Sequence, residues 1–157
     1  MKSLVSRIIL CLATIGLLSV SVVSQSKCIC RPSPPGGVTI CNRDQIAVCG
    51  GTESGACEGH CVDTDKKGND PVGLAARLLT AILGKKLAAT NLRRDKTTYL
   101  PIVNALLESG DKNGTVTVEY KDKKFAFSIW LPDEAKLELK KAAVSLDNNK
   151  PWGVIPR

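Results

Sequence analysis

Hydrophobic and polar residues alternate most strictly between residues 115 and 131. On the first arm, threonine and glutamate alternate with valine and tyrosine. On the second arm, Phe125, Phe127 and Ile129 alternate with smaller or polar residues. Period two on both sides of a short polar run predicts a β-hairpin with a turn at residues 121–124. By the same parity, Trp130 points away from the face that carries Phe127 and Ile129.

Helix signals stand on both sides of this hairpin. Residues 72–83 are apolar on nearly every side, which is typical of a buried helix, and Asp70 and Pro71 suit its N-cap and first position. Gly84 either ends this helix or is tolerated inside it, in which case residues 85–89 extend it by a turn. A second short helix is predicted at residues 100–108, with Gly110 stopping it, and a third at residues 134–146, capped by Asp133. The third helix has a stripe that would lie on the apolar face of the hairpin, formed by Ala135, Leu139, Ala142 and Leu146.

Cysteines are confined to the first part of the chain. Apart from Cys11, they are Cys28, Cys30, Cys41, Cys49, Cys57 and Cys61, an even set that predicts up to three disulfides in an exported protein. Residues 38–40 and 45–48 read as short strands between turn-rich segments. Because large apolar residues are scarce here, disulfides have to hold this part together.

The fold class that follows is α+β: a small disulfide-rich N-terminal module, residues 27–62, followed by a helix-helix-β-hairpin-helix domain, residues 71–149. Residues 63–70 are polar and rich in turn formers, and we interpret them as a linker. Residues 150–157 form a C-terminal tail broken by proline. We expect the region from Asp70 onward to fold without the cysteine module.

Residues 1–26 have the pattern of a secretory signal peptide. Lys2 and Arg7 precede an uncharged apolar run at residues 8–23, and small residues allow cleavage after Ser24 or Ser26. The run is shorter than the roughly 20 residues that span a bilayer as a helix. The sequence therefore predicts a secreted or periplasmic protein with no transmembrane segment after signal removal.

Charge is distributed unevenly along the mature chain. Loss of Lys2 and Arg7 lowers the formal charge from +7 to +5, and residues 72–157 carry fifteen basic and nine acidic side chains. A basic half can contact anionic surfaces, although such a charge also serves solubility. The chain has no motif that indicates specific nucleic-acid binding.

Catalytic and metal-binding patterns are weak. His60 is the only histidine, only Cys57 and Cys61 have a zinc-like spacing, and six paired cysteines leave no free thiol. Residues 63–70 begin like a calcium loop, but Lys67 and Leu74 stand where oxygen ligands are needed. No cofactor motif is present, so the sequence predicts neither an enzyme nor a metal or cofactor site.

The leading hypothesis is an exported, non-enzymatic binding or structural protein. The candidate binding surface comprises Trp130 and the lysines of the hairpin tip, Lys121, Lys123 and Lys124. The alternative for Trp130 is that Trp152 and the C-terminal tail cover it, and the alternative for the lysines is that they are solvated without a partner. One alternative is a hydrolase inhibitor that acts through a constrained loop, residues 31–39 or 50–56. Another is a binder of anionic surfaces through the basic half. Asn113 begins an Asn-Gly-Thr glycosylation sequon.

Overall fold

A computed structural model describes residues 25–30, 37–64 and 70–148. The predicted signal segment up to residue 24, most of the predicted linker (residues 65–69) and the predicted tail lie outside the described residues. The protein has a mixed α+β fold, as the sequence predicts. Its elements are β1 (Ser26–Ile29), β2 (Val38–Cys41), β3 (Gln45–Thr52), β4 (Glu58–Asp63), α1 (Pro71–Leu83), α2 (Ala89–Arg94), α3 (Lys96–Lys112), β5 (Val116–Tyr120), β6 (Lys123–Trp130) and α4 (Asp133–Asn148).

The elements form three layers. Four antiparallel strands make the central sheet in the order β4-β3-β6-β5, and β1 pairs with β2 in a separate two-stranded sheet. One face of the central sheet, which includes Ile46, Val48 and Phe127, belongs to a core shared with the helices. The opposite face, with Ala47 and Cys49, packs with the cysteines of β1 and β2. The β1–β2 hairpin therefore covers the side of the sheet that the helices leave open.

The residues that the sequence marks as the start and end of α1 bound this helix in the structure. The Asp70 carboxylate accepts a hydrogen bond from the Val72 N–H at 3.0 Å, Pro71 occupies the first turn, and Gly84 ends the helix with a φ of 62°. These interactions satisfy backbone groups that the helix leaves unpaired at its ends. The prediction for this helix is confirmed.

The predicted bounds of the second helix, residues 100–108, are wrong at both ends. In the structure this helix, α3, begins at Lys96, contains Pro101, and continues past Gly110 to a cap at Asn113, which lies in the left-handed region. Gly110 is buried, and a Cβ there would overlap Cδ1 of Leu131. The absence of a side chain at Gly110 allows α3 to pack closely against Leu131, the residue that follows β6. Gly110 does not stop the helix.

The two halves of the chain share one sheet and one core. Strand β3 is hydrogen-bonded to β6 over residues 47–52 and 125–130. Ile46, Val48 and Val62 pack in the same hydrophobic cluster as the helices. The boundary at residues 63–70 stays a prediction, and so does the folding of the region from Asp70 onward without the cysteine module, although the shared core counts against it. The predicted domain lacks the central strand that its hairpin needs.

Candidate functional site

All six predicted cysteines are paired, and every disulfide ties the β1–β2 hairpin to the rest of the chain. Cys28 on β1 bonds Cys49 on β3, Cys30 at the end of β1 bonds Cys57 before β4, and Cys41 on β2 bonds Cys61 on β4. The Cα atoms of the pairs lie 5.5–5.7 Å apart. The hairpin is therefore fixed to two neighbouring strands of the central sheet.

The outer side of this hairpin carries aliphatic side chains. Ile29, Val38 and Ile40 are 43%, 54% and 59% exposed, and Lys27 points to the same side. Ile29 lies opposite Val38, and Lys27 lies opposite Ile40. We call these four residues the hairpin face. It has three β-branched side chains and one cation, with no acidic group.

The inner side of the hairpin is made of small residues. Ser26, Cys28 and Cys41 are buried there, and Thr39 is half-buried close to Gly59 of β4. A Cβ on Gly59 would overlap the Thr39 hydroxyl, so this glycine is required for the close approach. Hydrophobic burial contributes little to this contact, because the large apolar residues of the hairpin point outward. The disulfides hold the layers together instead.

Trp130 lies where strand parity predicts, on the sheet face opposite Phe127. It is half-buried at the end of β6 and borders a hollow of about 550 Å³ beside β1. We call this the Trp130 hollow. Among the described residues, its polar wall consists of Gln25, Lys27, Asn113, Thr115 and Ser128. The predicted sequon thus lies in an exposed turn at the mouth of this hollow.

A second hollow, of about 910 Å³, borders the other side of Trp130 near the first turns of α1 and α4. Its charged wall is mainly acidic: Asp44, Asp70, Asp133, Glu134 and Glu138 face it, with Arg43 and Arg77. Asp70 already has structural partners, because it caps α1 and its carboxylate lies 2.7 Å from Nη2 of Arg93. The two sides of Trp130 therefore differ in charge.

The predicted lysines do not join Trp130. Lys121, Lys123 and Lys124 are exposed around the β5–β6 turn, at the opposite end of β6. Seven strand steps of about 3.3 Å put the two ends roughly 23 Å apart. Glu119 lies opposite Lys124, and Asp122 is part of the turn. The lysines and the tryptophan thus form two separate surfaces, and the cationic one has acidic neighbours.

The two candidate inhibitory loops have different outcomes. Residues 31–36 lie outside the described residues, whereas Gly50, Gly51 and Thr52 belong to β3 and pair with β6. Only the turn that follows Thr52 remains exposed. The only histidine, His60, lies in β4, with its Nε2 3.7 Å from a carboxylate oxygen of Glu58.

Two sets of polar contacts join α3 to the β5–β6 part of the sheet. The Ser109 hydroxyl donates to the Gly114 carbonyl at 2.6 Å and accepts from the Ile129 N–H at 3.2 Å. At the other end of the sheet, the Tyr99 and Tyr120 hydroxyls are 3.2 Å apart. Burial raises the pKa of Tyr99 to about 12, and the hydrogen bond with Tyr120 adds to this. Sequence reasoning found neither contact.

Within residues 25–30, 37–64 and 70–148, no cluster of histidine, cysteine and acidic side chains has the arrangement of a metal site. No helix in this part of the chain is long and apolar enough to cross a bilayer. The chain matches no protein-family model, no curated protein and no solved structure. Functional inference therefore depends on the geometry of the chain itself.

Proposed function

We propose that this is an exported binding protein whose docking surface is the hairpin face. The observation that carries the proposal is that the β1–β2 hairpin turns its large aliphatic side chains to solvent and its small ones to the sheet. Its aliphatic residues Ile29, Val38 and Ile40 face solvent, while its cysteines face the sheet and are bonded to it. Contiguous exposed apolar residues on a soluble domain are typical of interaction sites.

The disulfides prevent the arrangement that hydrophobicity alone would favour. Moving a strand by one residue exchanges its two faces, which would turn Ile29 and Ile40 toward the sheet. Bonds at Cys28, Cys30 and Cys41 exclude that register. A hairpin with only a structural role would be stabilised by burying its isoleucines, at about 1.5–3 kcal/mol each. Holding them outward favours a binding role.

A protein partner with an aliphatic surface fits this face best. The face is rigid, which reduces the conformational entropy lost on binding. Lys27 at its edge favours an acidic group on the partner. Its two four-residue strands cover much less than the roughly 800 Å² that each partner contributes to a stable interface, so we expect the face to be the apolar anchor of a larger contact. Such a surface supports binding and provides no group for catalysis.

Export is supported by the three disulfides, which persist in oxidising compartments, and by the signal-like N-terminal pattern. Cleavage after Ser24 leaves β1 complete, whereas cleavage after Ser26 removes a buried residue that pairs with Cys41. We therefore expect mature protein to begin at Gln25. Intact-mass measurement of secreted protein tests this, and a retained residue 1 in soluble material would contradict export with signal removal.

Site-specific photo-crosslinking tests the docking surface. A photoreactive residue replaces Val38 on the hairpin face or, as a matched control, Val144, which is 59% exposed on α4. The labelled proteins are irradiated in the compartment to which the protein is exported. We expect a defined protein adduct from position 38 and none from position 144. An adduct from position 144 alone, or from neither position, would contradict the proposal.

A further inference from the structure

The Trp130 hollow has the volume of a small-ligand site. Its volume of about 550 Å³ lies within the roughly 300–1,000 Å³ of such sites. Three separate segments build it: β1, the turn after α3, and the end of β6. All three are held by covalent or hydrogen bonds. Cys28 and Cys30 fix β1 to the rest of the sheet, and Ser109 bonds both Gly114 in the turn and Ile129 on β6.

Three polar side chains in this hollow are uncommitted, whereas the Ser128 hydroxyl donates to the Ile29 carbonyl at 3.4 Å. Within the part of the chain that the structure describes, the side chains of Gln25, Asn113 and Thr115 have no hydrogen-bond partner. Each amide offers both donors and an acceptor, and the hydroxyl offers one of each. All three side chains are on exposed residues. The wall is therefore suited to a ligand that has many hydroxyl groups.

The aromatic and charged groups narrow the class of ligand. Trp130 has a large apolar ring that can pack against the C–H face of a sugar ring, and an indole N–H that can donate a hydrogen bond. Lys27 is the only charged residue among the described residues of the wall. The acidic groups near Trp130 lie in the other hollow. A carboxylate or sulfate on the ligand is therefore favoured on the Lys27 side.

We propose that the Trp130 hollow binds an acidic oligosaccharide. Trp130 packs against a sugar ring, Gln25, Asn113 and Thr115 bind hydroxyl groups, and Lys27 binds the carboxylate or sulfate. This site shares Lys27 and Ile29 with the hairpin face, whereas Trp130, Gln25, Asn113 and Thr115 lie outside that face. Either proposal can fail without the other, because crosslinking at Val38 does not depend on saccharide binding.

Titration calorimetry tests the site directly on the oxidised mature protein, produced without an N-glycan at Asn113. The probes are an oligogalacturonate, which carries carboxylates, a heparin-derived oligosaccharide, which carries sulfates, and neutral maltohexaose. We expect binding of one or both acidic probes and at least tenfold weaker binding of maltohexaose, since a charge-assisted hydrogen bond is lost. Equal binding of the neutral probe, or no binding of any probe, would overturn the proposal.

Variants distinguish binding in the Trp130 hollow from a general attraction of the protein to polyanions. Lys27→Gln and Trp130→Ala should each weaken binding about tenfold or more. Asn113→Gly removes the amide while suiting the backbone φ of 48°, and should also weaken binding. Circular dichroism checks that each variant is folded.

The matched control removes three charges at the far end of β6, by combining Lys121→Gln, Lys123→Gln and Lys124→Gln. This variant should keep its affinity at physiological salt, where separated surface charges are screened. Loss of binding in this control, with Lys27→Gln and Asn113→Gly both unchanged, would show attraction to the hairpin tip and would overturn the assignment to the hollow.

Discussion

A chain that starts at Asp70 should not fold, because it lacks β3 and β4. The truncation removes Ile46, Val48 and Val62 from the core, and all three are buried against the helices. At about 1.5–3 kcal/mol for each buried aliphatic side chain, the loss is about 5–9 kcal/mol. A typical domain is stable by only about 5–15 kcal/mol. The truncation also removes the β3 partner of β6, leaving the strand that carries Phe127 at the edge of the sheet.

Thermal and urea unfolding followed by near- and far-ultraviolet circular dichroism provides the assay. The oxidised mature chain should unfold in one cooperative transition, and the chain from Asp70 should show none. A cooperative transition in the truncated chain, with dispersed amide signals in its NMR spectrum, would refute the shared core.

A single substitution tests the same reasoning in the intact chain. Ile46→Ala should lower the free energy of unfolding by about 2–5 kcal/mol, because it leaves a cavity between β3 and the helices. The unfolding midpoints measured from the helical and from the tertiary circular dichroism signals should shift together. Helices that melt at an unchanged temperature in this variant would show that they form a core independent of β3.

Three further predictions follow from local contacts. Ser109→Ala leaves the buried Ile129 N–H without its partner and should cost about 1–3 kcal/mol in urea unfolding; an unchanged midpoint would contradict this bridge. The raised pKa of Tyr99, about 12 against an ordinary 10.0, means that its contribution to stability is complete below pH 10 and is lost as the pH rises through 12. In the Tyr99→Phe variant, the free energy of unfolding should depend less on pH between about 10 and 12. An unaltered pH dependence would contradict its assignment to Tyr99. Lys121→Asn combined with Asp122→Gly suits the positive φ angles of the turn and should raise the melting temperature, with a gain of about 1 kcal/mol; a lower temperature would count against the turn geometry.

Elements with complete local signals could be predicted from the sequence. The alternation in residues 115–131 predicted β5 and β6, and Asp70, Pro71 and Gly84 marked α1. Strand β4 was missed because Glu-Gly-His-Cys-Val-Asp has no clear alternation of large apolar residues. The pairing of β3 with β6 joins Ala47 to Trp130, and no local pattern encodes a contact over that separation.

The candidate site was only partly predictable. Strand parity correctly gave the direction of Trp130, but the partners of its hollow come from β1 and from the turn after α3. A usable signal for the hairpin face was present. Cys28 and Cys30 flank Ile29, and Cys41 follows Ile40, so cysteines that point inward to form disulfides place both isoleucines outward. The hairpin face follows from that alternation once the cysteines are paired.

The most direct test of the central claim is the affinity of the partner captured by crosslinking at Val38. Combining Ile29→Thr, Val38→Thr and Ile40→Thr keeps three β-branched side chains but removes the aliphatic character of the hairpin face. The control combines Leu137→Gln with Val144→Thr, two residues on α4 that are 54% and 59% exposed. The hairpin variant should bind about tenfold to a hundredfold more weakly, while the α4 variant should bind like the unmodified protein. Unchanged affinity in the folded, fully oxidised hairpin variant would contradict a docking role for the hairpin face.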